Sequence, residues 1–263
     1  MLSSGLAADC SLHSWIAGGR QERRTIVSAI GRVGRHCGPP LAYFSVFDFM
    51  AALNFNFEAL GNPLLAVQEM AGQGTRLKWE FLADELGYYL LLVPLALVLW
   101  NWLKPKSPNF VTLFTLAGLG YLILGGLGAA IFGTALAATT DAYAQATGTE
   151  QQIQTELYLV LTSVVQGGIW DRLGSLLAAL WWIGIGSLIR SQRRGLGWAT
   201  VILGASTLLS WLGSIVEVEA LQLPGTMVYL LLAPAWAAYL GVDLIRRPIA
   251  AVDQQPSSNG TGA

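Results

Sequence analysis

Long apolar runs separated by short charged segments make up most of the chain. Six runs stand out, and each is close to the roughly 17 to 25 residues that a helix needs to cross the hydrocarbon core of a bilayer. They occupy 41–57, 81–103, 110–138, 172–189, 196–216 and 227–244. The pattern predicts an all-α polytopic membrane protein whose spans form a six-helix transmembrane bundle.

The first run is the weakest of the six. It contains Asp48, Asn54 and Asn56, and it is only about long enough to cross the hydrocarbon core. We expect it to form the first span, with polar side chains along its length.

Residues 153–165 place apolar side chains at helical spacing and predict a short amphipathic helix on the outer face. The alternative is a seventh span over 157–170. That segment is short, and a further crossing would put the arginine-rich loop 190–194 on the side opposite the lysines of loop 104–107, against the positive-inside bias. The six-span count is therefore favoured.

Two glycines and one proline predict where the outer segments end and begin. Gly167 and Gly168 predict a bend between the outer helix and the fourth span. Asn62 followed by Pro63 has the pattern of an N-cap and a first helical position, so a second short outer helix is expected to start there.

Composition agrees with the membrane class. Hydrophobic residues make up 54% of the chain and charged residues 12%, whereas soluble domains have about 25% charged residues. The mean hydropathy is +0.52. A formal net charge of -1 provides no basic surface for nucleic acid. The lipid bilayer is the expected partner, and no nucleic acid is expected.

The placement of lysine and arginine predicts the orientation of the spans. With the N-terminus inside, 12 of the 15 basic residues fall on the cytoplasmic side, as the positive-inside rule requires. The twelve are Arg20, Arg23, Arg24, Arg32, Arg35, Lys104, Lys106, Arg190, Arg193, Arg194, Arg246 and Arg247. Both termini are therefore predicted to be cytoplasmic.

The two ends of the chain differ from the bundle. Residues 1–38 predict a basic and largely irregular cytoplasmic extension, 39–248 the six-span domain, and 249–263 a disordered tail. Both cysteines and both histidines lie in 1–38. The spans thus offer no imidazole or thiolate ligand, so we expect no haem, no zinc centre and no other cofactor.

Three stretches follow one another in the second, third and fourth spans: ADELGYYLLLVPLALVL, LAGLGYLILGGLGAAIFG and GIWDRLGSLLAALWWIGIGSLIRS. With this order of features, residues 41–248 resemble a family of uncharacterised six-to-seven-span bacterial membrane proteins, classified as a domain of unknown function. The resemblance implies six packed helices in the bacterial cytoplasmic membrane. It brings no known reaction, cofactor or catalytic residue.

Asp48 is the sharpest candidate for a functional residue within a span. A carboxylate at mid-span costs about 2.5 to 3.5 kcal/mol on insertion scales. It is therefore either a proton or cation site, or an acid that lies near water or is paired with a neighbour. The weakness of the first span slightly favours the second alternative.

Four acids are predicted at the outer ends of spans. Asp84 and Glu85 are expected at the start of the second span, where the helix dipole stabilises a carboxylate by about 0.3 to 1 kcal/mol. Glu217 and Glu219 are expected at the C-terminal end of the fifth span, where the same dipole disfavours negative charge. The second pair therefore needs a partner, water or a cation.

Two hypotheses explain these outer acids. One is a structural salt-bridged cluster with the basic residues of that face, Arg76, Lys78 and Arg172. The other is a calcium or magnesium site, or a site for a cationic ligand, formed by Asp84, Glu85, Asp171, Glu217 and Glu219. We favour the structural cluster, and we expect Arg172 to act first as an interface anchor.

Small residues and prolines predict how the helices pack. Gly125, Ala129, Gly133 and Ala137 form a smooth ribbon along the third span that lets another helix approach closely. Packing inside the bundle is favoured over a seam for a homo-oligomer or a protein partner. Pro94 and Pro234 predict kinks in the second and sixth spans.

An enzyme is the least favoured class. The chain has no recognisable grouping of nucleophile and base, no Walker loop and no dinucleotide fingerprint. A membrane scaffold or ligand-sensing module is favoured. The alternative is a small-molecule or ion transporter that uses intramembrane or outer-face carboxylates.

Overall fold

The structure, a computed structural model, describes residues 38–246. The helices of this part are joined by short turns, and no strand occurs within it. The predictions for the basic extension and for the polar tail concern residues that, apart from Gly38, lie outside the described range.

Within residues 38–246, ten α-helices are numbered in chain order. They are α1 (38–52), α2 (Pro63–Glu69), α3 (Gly74–Asp84), α4 (Val93–Leu103), α5 (Pro108–Ile131), α6 (Ala137–Gln145), α7 (Thr149–Thr162), α8 (Ser175–Ile189), α9 (Arg194–Val216) and α10 (Glu219–Arg246). A 3-10 turn, Phe57–Leu60, precedes α2, and a second one, Leu90–Leu92, precedes α4. Wider π-helical turns at Glu85–Tyr89, Phe132–Leu136 and Ser163–Gly174 join α3 to α4, α5 to α6 and α7 to α8.

Because helical structure continues without a break through the π-helical turns, three pairs of helices form continuous rods. The rods are Gly74–Leu103, Pro108–Gln145 and Thr149–Ile189, with 30, 38 and 41 residues. At 1.5 Å per residue the longest measures about 60 Å, roughly twice the hydrocarbon core of a bilayer. Each rod therefore extends beyond the core.

Within the described residues, five helices are long and apolar enough to cross a membrane. They are the three rods, Arg194–Val216 and Glu219–Leu244. Large apolar side chains such as Leu113, Leu116 and Ile123 project outward from α5 and are about three-fifths exposed or more. Such a surface suits lipid, and the chain is an integral membrane protein with an all-α bundle.

The bundle has two chemically different ends. The turns after α4 and α8 lie together at one end, where Lys106 Nζ donates to Ser191 Oγ at 3.0 Å and Trp102 Nε1 donates to Gln192 Oε1 at 3.2 Å. We call this the basic end. The opposite end, the acidic end, includes Glu58, Glu69, Glu150, Glu156, Glu217 and Glu219.

The predicted bounds of the first span were wrong at the C-terminal side. Helix α1 ends at 52, not at Phe57, because Asn54 and Phe55 adopt left-handed backbone angles (φ 52° and 57°). The side-chain amide of Gln73 donates to the carbonyl oxygen of Ala52 at 3.0 Å, which caps the helix end. The described part of α1 has too few residues to cross a bilayer alone.

Gly167 and Gly168, where a bend was predicted, lie in the π-helical segment Ser163–Gly174 inside the rod Thr149–Ile189, so the helix is not interrupted there. Ser175 Oγ donates to the carbonyl oxygen of Trp170 at 3.1 Å, and Trp170 Nε1 donates to the carbonyl oxygen of Gly125 at 3.2 Å. The second of these contacts joins the rod to α5.

Two apolar cores lie one above the other. The larger core is rich in aromatic residues and contains the fully buried, stacked pair Trp181 and Trp182, against which Trp236 packs edge-on. The smaller core, toward the acidic end, includes Leu77, Phe81 and Phe132. The small-residue ribbon of α5 and α6 faces into these cores, so its packing inside the bundle is observed directly.

Candidate functional site

The side chains of Arg76, Glu80, Asp84 and Tyr88 recur every fourth residue and therefore share one face of the α3 rod. We call them the α3 stripe. Helix α1 lies across this face, and a Cβ at Gly87 would come within 2.5 Å of the backbone nitrogen of Ala42. Because residue 87 is a glycine, α1 can approach the α3 rod closely. Helix α1 thereby covers the ionisable side chains of the α3 stripe.

The stripe begins near the acidic end with an ion pair. Arg76 Nη2 lies 2.8 Å from Asp48 Oδ1, and Arg76 Nε donates to both carboxylate oxygens at 3.1 Å. This two-point contact pairs the planar guanidinium with the carboxylate. Asp48 therefore has a basic partner, which supports the structural alternative for this residue.

Glu80, one turn further along, is the most deeply buried acid of the stripe. Its side chain is 3% exposed, and Oε2 has no hydrogen-bond partner. Asp48, Arg76 and Asp84 are its charged neighbours. A buried carboxylate oxygen without a partner is costly unless a proton, a cation or water satisfies it.

No pattern in the sequence singled out Glu80. The residue lies just before the apolar run 81–103, outside the predicted second span. Its spacing of four from Arg76 and from Asp84 was visible in the sequence and would have placed it on the same helix face. Its burial depends on α1, which no local pattern reveals.

Asp84 and Glu85 do not lie at the start of a helix, so the expected stabilisation of their carboxylates by the helix dipole was wrong. The helix starts ten residues earlier at Gly74, whose N–H is bound by Asp141 Oδ1 at 2.8 Å. Asp84 and Glu85 consequently lie inside a continuous rod, where no free N–H groups stabilise a carboxylate. Asp84 completes the charged part of the stripe, and Glu85 faces α5 near Gly126.

Beyond Asp84, the stripe reaches a group of tyrosines, of which three are buried and one is half-buried: Tyr88, Tyr89 and Tyr121, and Tyr229. The hydroxyl oxygens of Tyr121 and Tyr229 lie 2.6 Å apart, and Tyr88 Oη donates to the carbonyl oxygen of Leu230 at 2.5 Å. The rings of Tyr88 and Tyr229 pack with centroids 5.8 Å apart. Polar atoms thus continue from the stripe into the middle of the bundle.

Asp171 occupies a separate polar site in the π-helical segment between α7 and α8. The carboxylate is 8% exposed and accepts hydrogen bonds from Gln166 Nε2 and Gln222 Nε2, both at 2.9 Å. Its neighbour Arg172 is exposed. Two neutral amides therefore hold Asp171, and this acid links the α7–α8 rod to α10.

Glu217 and Glu219 lie at the acidic end in different local surroundings. Glu217 caps α9 in a left-handed conformation (φ 56°), whereas Glu219 lies in the first turn of α10. For Glu219 the expected dipole penalty was wrong, because a helix N-terminus favours negative charge. Its carboxylate lies against Gly61 in the turn before α2.

The five acids of the cation hypothesis therefore occupy different surroundings: the α3 rod, the polar site of Asp171, and the junction where α9 ends and α10 begins. No group of three or more His, Cys, Asp or Glu residues suited to a metal ion occurs in 38–246. What the structure assembles is Glu80 between Asp84 and the Asp48–Arg76 pair.

Residues 49–245 match the model of a family described as a domain of unknown function, DUF4386. The chain belongs to this family. The DUF4386 match includes Glu80, Asp84 and Asp171, while Asp48 lies one residue before it. No curated protein and no solved structure matches the chain.

Proposed function

We propose that this integral membrane protein is a cation-sensing module in which a proton, or a small cation in its place, binds at Glu80 beside Asp84. The buried Glu80 Oε2 without a partner is the observation that supports the proposal. A buried carboxylate without a partner is unfavourable because it has lost its contact with water, and one bound positive charge offsets this desolvation penalty.

The surroundings of Glu80 fit a regulated site. The guanidinium of Arg76 is already paired with the Asp48 carboxylate of α1. Its positive charge is therefore shared and does not neutralise Glu80 fully. Asp84 adds a second negative charge one turn away, and Asp141 caps the start of the same helix. Loss of the bound cation would repel α1 and the stripe from one another, which supplies a conformational output.

Unfolding in detergent across pH tests the proposal, using the parent, Glu80→Gln and Asp84→Asn. We expect the parent to lose stability as the pH rises and the proton leaves Glu80. Glu80→Gln, which is neutral at every pH, should remove that loss. Glu150→Gln makes the same chemical change at an exposed position and should leave the profile unchanged.

Sodium, potassium, magnesium and calcium are titrated at alkaline pH in the same assay. Stabilisation by one of them that vanishes in Glu80→Gln would identify a cation that replaces the proton. If Glu80→Gln retains both the pH profile and the cation responses of the parent, the proposal is wrong.

Transport is a second candidate because the stripe continues into the tyrosines at the middle of the bundle. The protein is reconstituted into liposomes that contain a pH-sensitive dye, and a proton gradient is applied. A flux that depends on Glu80 would favour a transporter, whereas a Glu80-dependent stability change without flux would favour a sensor.

We further propose that the basic end faces the cytoplasm of a bacterial cell, as the positive-inside rule implies. Gln192→Cys and Glu150→Cys, each made with Cys10 and Cys37 changed to serine, place one thiol at the basic and acidic ends. An impermeant maleimide added to intact cells should label position 150 and not position 192. Labelling of 192 alone would reverse the orientation.

A further inference from the structure

An apolar groove of about 300 Å³ runs along the outer surface of α8. Its lining residues recur at helical spacing from Leu176 to Leu188 and are completed by Phe110 and Phe114 of α5. Twelve residue steps along an α-helix measure about 18 Å. The groove is therefore long, narrow and parallel to the helix, like an extended hydrocarbon chain.

The floor and walls of the groove contain few free polar groups. The ring of Phe114 lies directly against Gly184, where any Cβ would overlap it. Ser187 faces the groove, but its hydroxyl donates to the carbonyl oxygen of Ile183 at 2.7 Å. The groove thus suits an apolar occupant.

Positive charge lies at the end of the groove that adjoins the basic end. Ser191 lies four residues after Ser187 and accepts a hydrogen bond from Lys106 Nζ at 3.0 Å. Arg190 lies beside it and stacks on Trp198 with its guanidinium carbon 4.5 Å from the ring centroid. Arginine, lysine and tryptophan at this level are typical of a membrane interface.

We propose that the groove binds one acyl chain of an anionic phospholipid, whose phosphate is held by Lys106 and Arg190. Charge complementarity determines the choice of occupant: a basic pocket at the end of an interhelical groove attracts an anionic head group, and the neighbouring apolar surface retains its chain. None of the residues that line the groove belongs to the α3 rod, and the proposal does not depend on the function of Glu80.

The test uses the full-length protein in detergent and measures its unfolding temperature during lipid titration. Phosphatidylglycerol is compared with phosphatidylcholine with the same acyl chains, and with inorganic phosphate. We expect stabilisation by phosphatidylglycerol at concentrations where the other two have little effect. Equal responses to both lipids, or an equal response to phosphate, would overturn the proposal.

Substitutions at the two parts of the site sharpen the test. Lys106→Gln and Arg190→Gln should each weaken the apparent affinity for phosphatidylglycerol roughly fivefold, the effect of about 1 kcal/mol per interfacial cation. Lys78→Gln removes an exposed cation at the other end and should have no effect. A loss of affinity in Lys78→Gln equal to that in Lys106→Gln would show that net charge alone is responsible.

Ser187→Phe places a large apolar side chain in the groove and leaves Lys106 and Arg190 unchanged in the sequence. We expect it to reduce phosphatidylglycerol binding, while Ala130→Phe, a similar change at an exposed position of α5, preserves it. Native mass spectrometry counts retained lipids directly for both variants. Equal lipid retention in Ser187→Phe and in the parent would contradict the acyl-chain placement.

Discussion

Tyr88 donates a hydrogen bond to the carbonyl oxygen of Leu230 at 2.5 Å, and Leu230 lies four residues before Pro234 in α10. Proline has no N–H, so the Leu230 carbonyl lacks the partner that a regular helix would provide. Tyr43 Oη donates to the next carbonyl, that of Leu231, at 2.9 Å. Tyr43 of α1 and Tyr88 of the α3 rod thus donate hydrogen bonds to two backbone carbonyls of α10 near its proline.

Replacing Tyr88 by phenylalanine should therefore destabilise the protein by about 1 to 3 kcal/mol, the cost of an unsatisfied buried carbonyl. Pro234→Ala restores an N–H that can bind Leu230. In that background Tyr88→Phe should cost clearly less, and a double-mutant cycle from unfolding in detergent or SDS measures the difference. An equal cost in both backgrounds would contradict this role of Tyr88.

The ion pair between Asp48 and Arg76 should contribute modestly to stability. The Arg76 side chain is 36% exposed, so solvent screening limits the expected loss for Asp48→Asn to about 1 kcal/mol. Arg76→Lys should not preserve the parent stability, because a lysine cannot reproduce the two-point contact. Thermal unfolding checks both variants, and full stability of Arg76→Lys would show that charge alone suffices.

The polar site at Asp171 depends on two amide donors that face one carboxylate. Asp171→Asn turns one acceptor oxygen into a donor, so one glutamine loses its partner at a cost of about 1 to 3 kcal/mol. Adding Gln222→Glu restores a donor and acceptor pair and should recover part of the loss. Arg172→Gln, a change at the exposed neighbour, is the control and should be nearly neutral.

Glu69 should produce a pH-dependent contribution at the acidic end. Hydrogen bonds from Asn54 and Asn56, at 2.8 and 3.0 Å, lower the pKa of Glu69 below its ordinary value. A lowered folded-state pKa contributes stability above the unfolded pKa near 4.5 and loses it as the pH falls. The difference in unfolding temperature between the parent and Glu69→Gln should therefore shrink on acidification, and a difference independent of pH would exclude this linkage.

The contact between Gly125 and Tyr89 should not tolerate a methyl group, since a Cβ at 125 would overlap the Tyr89 ring. Gly125→Ala should destabilise the bundle by about 1 to 3 kcal/mol through overpacking. The matched control is Gly167→Ala, where nothing lies within 4 Å of the added atom. That control should be neutral or stabilising, because alanine favours helix, and equal losses in both variants would contradict the packing explanation.

The ends of a membrane-spanning helix were predictable where the sequence changes from apolar to charged residues at the bilayer boundary. The predicted run 196–216 matches α9, Arg194–Val216, within two residues. Charged residues and glycine flank an apolar segment there, and hydropathy detects that contrast. The three rods extend further than the predicted spans. Their outer turns are polar, and hydropathy does not detect a helix outside the hydrocarbon core.

The sequence by itself determined that the chain is helical, lies in a membrane and has charge concentrated at the ends of its spans, because these properties depend on local composition and periodicity. Only the tertiary structure decided that Glu80 is buried under α1, that Asp48 pairs with Arg76 and that Asp171 accepts a hydrogen bond from Gln222. Each of these relationships joins residues from different parts of the fold, and their energies depend on distance and on exclusion of water. Neither quantity is a property of a sequence window.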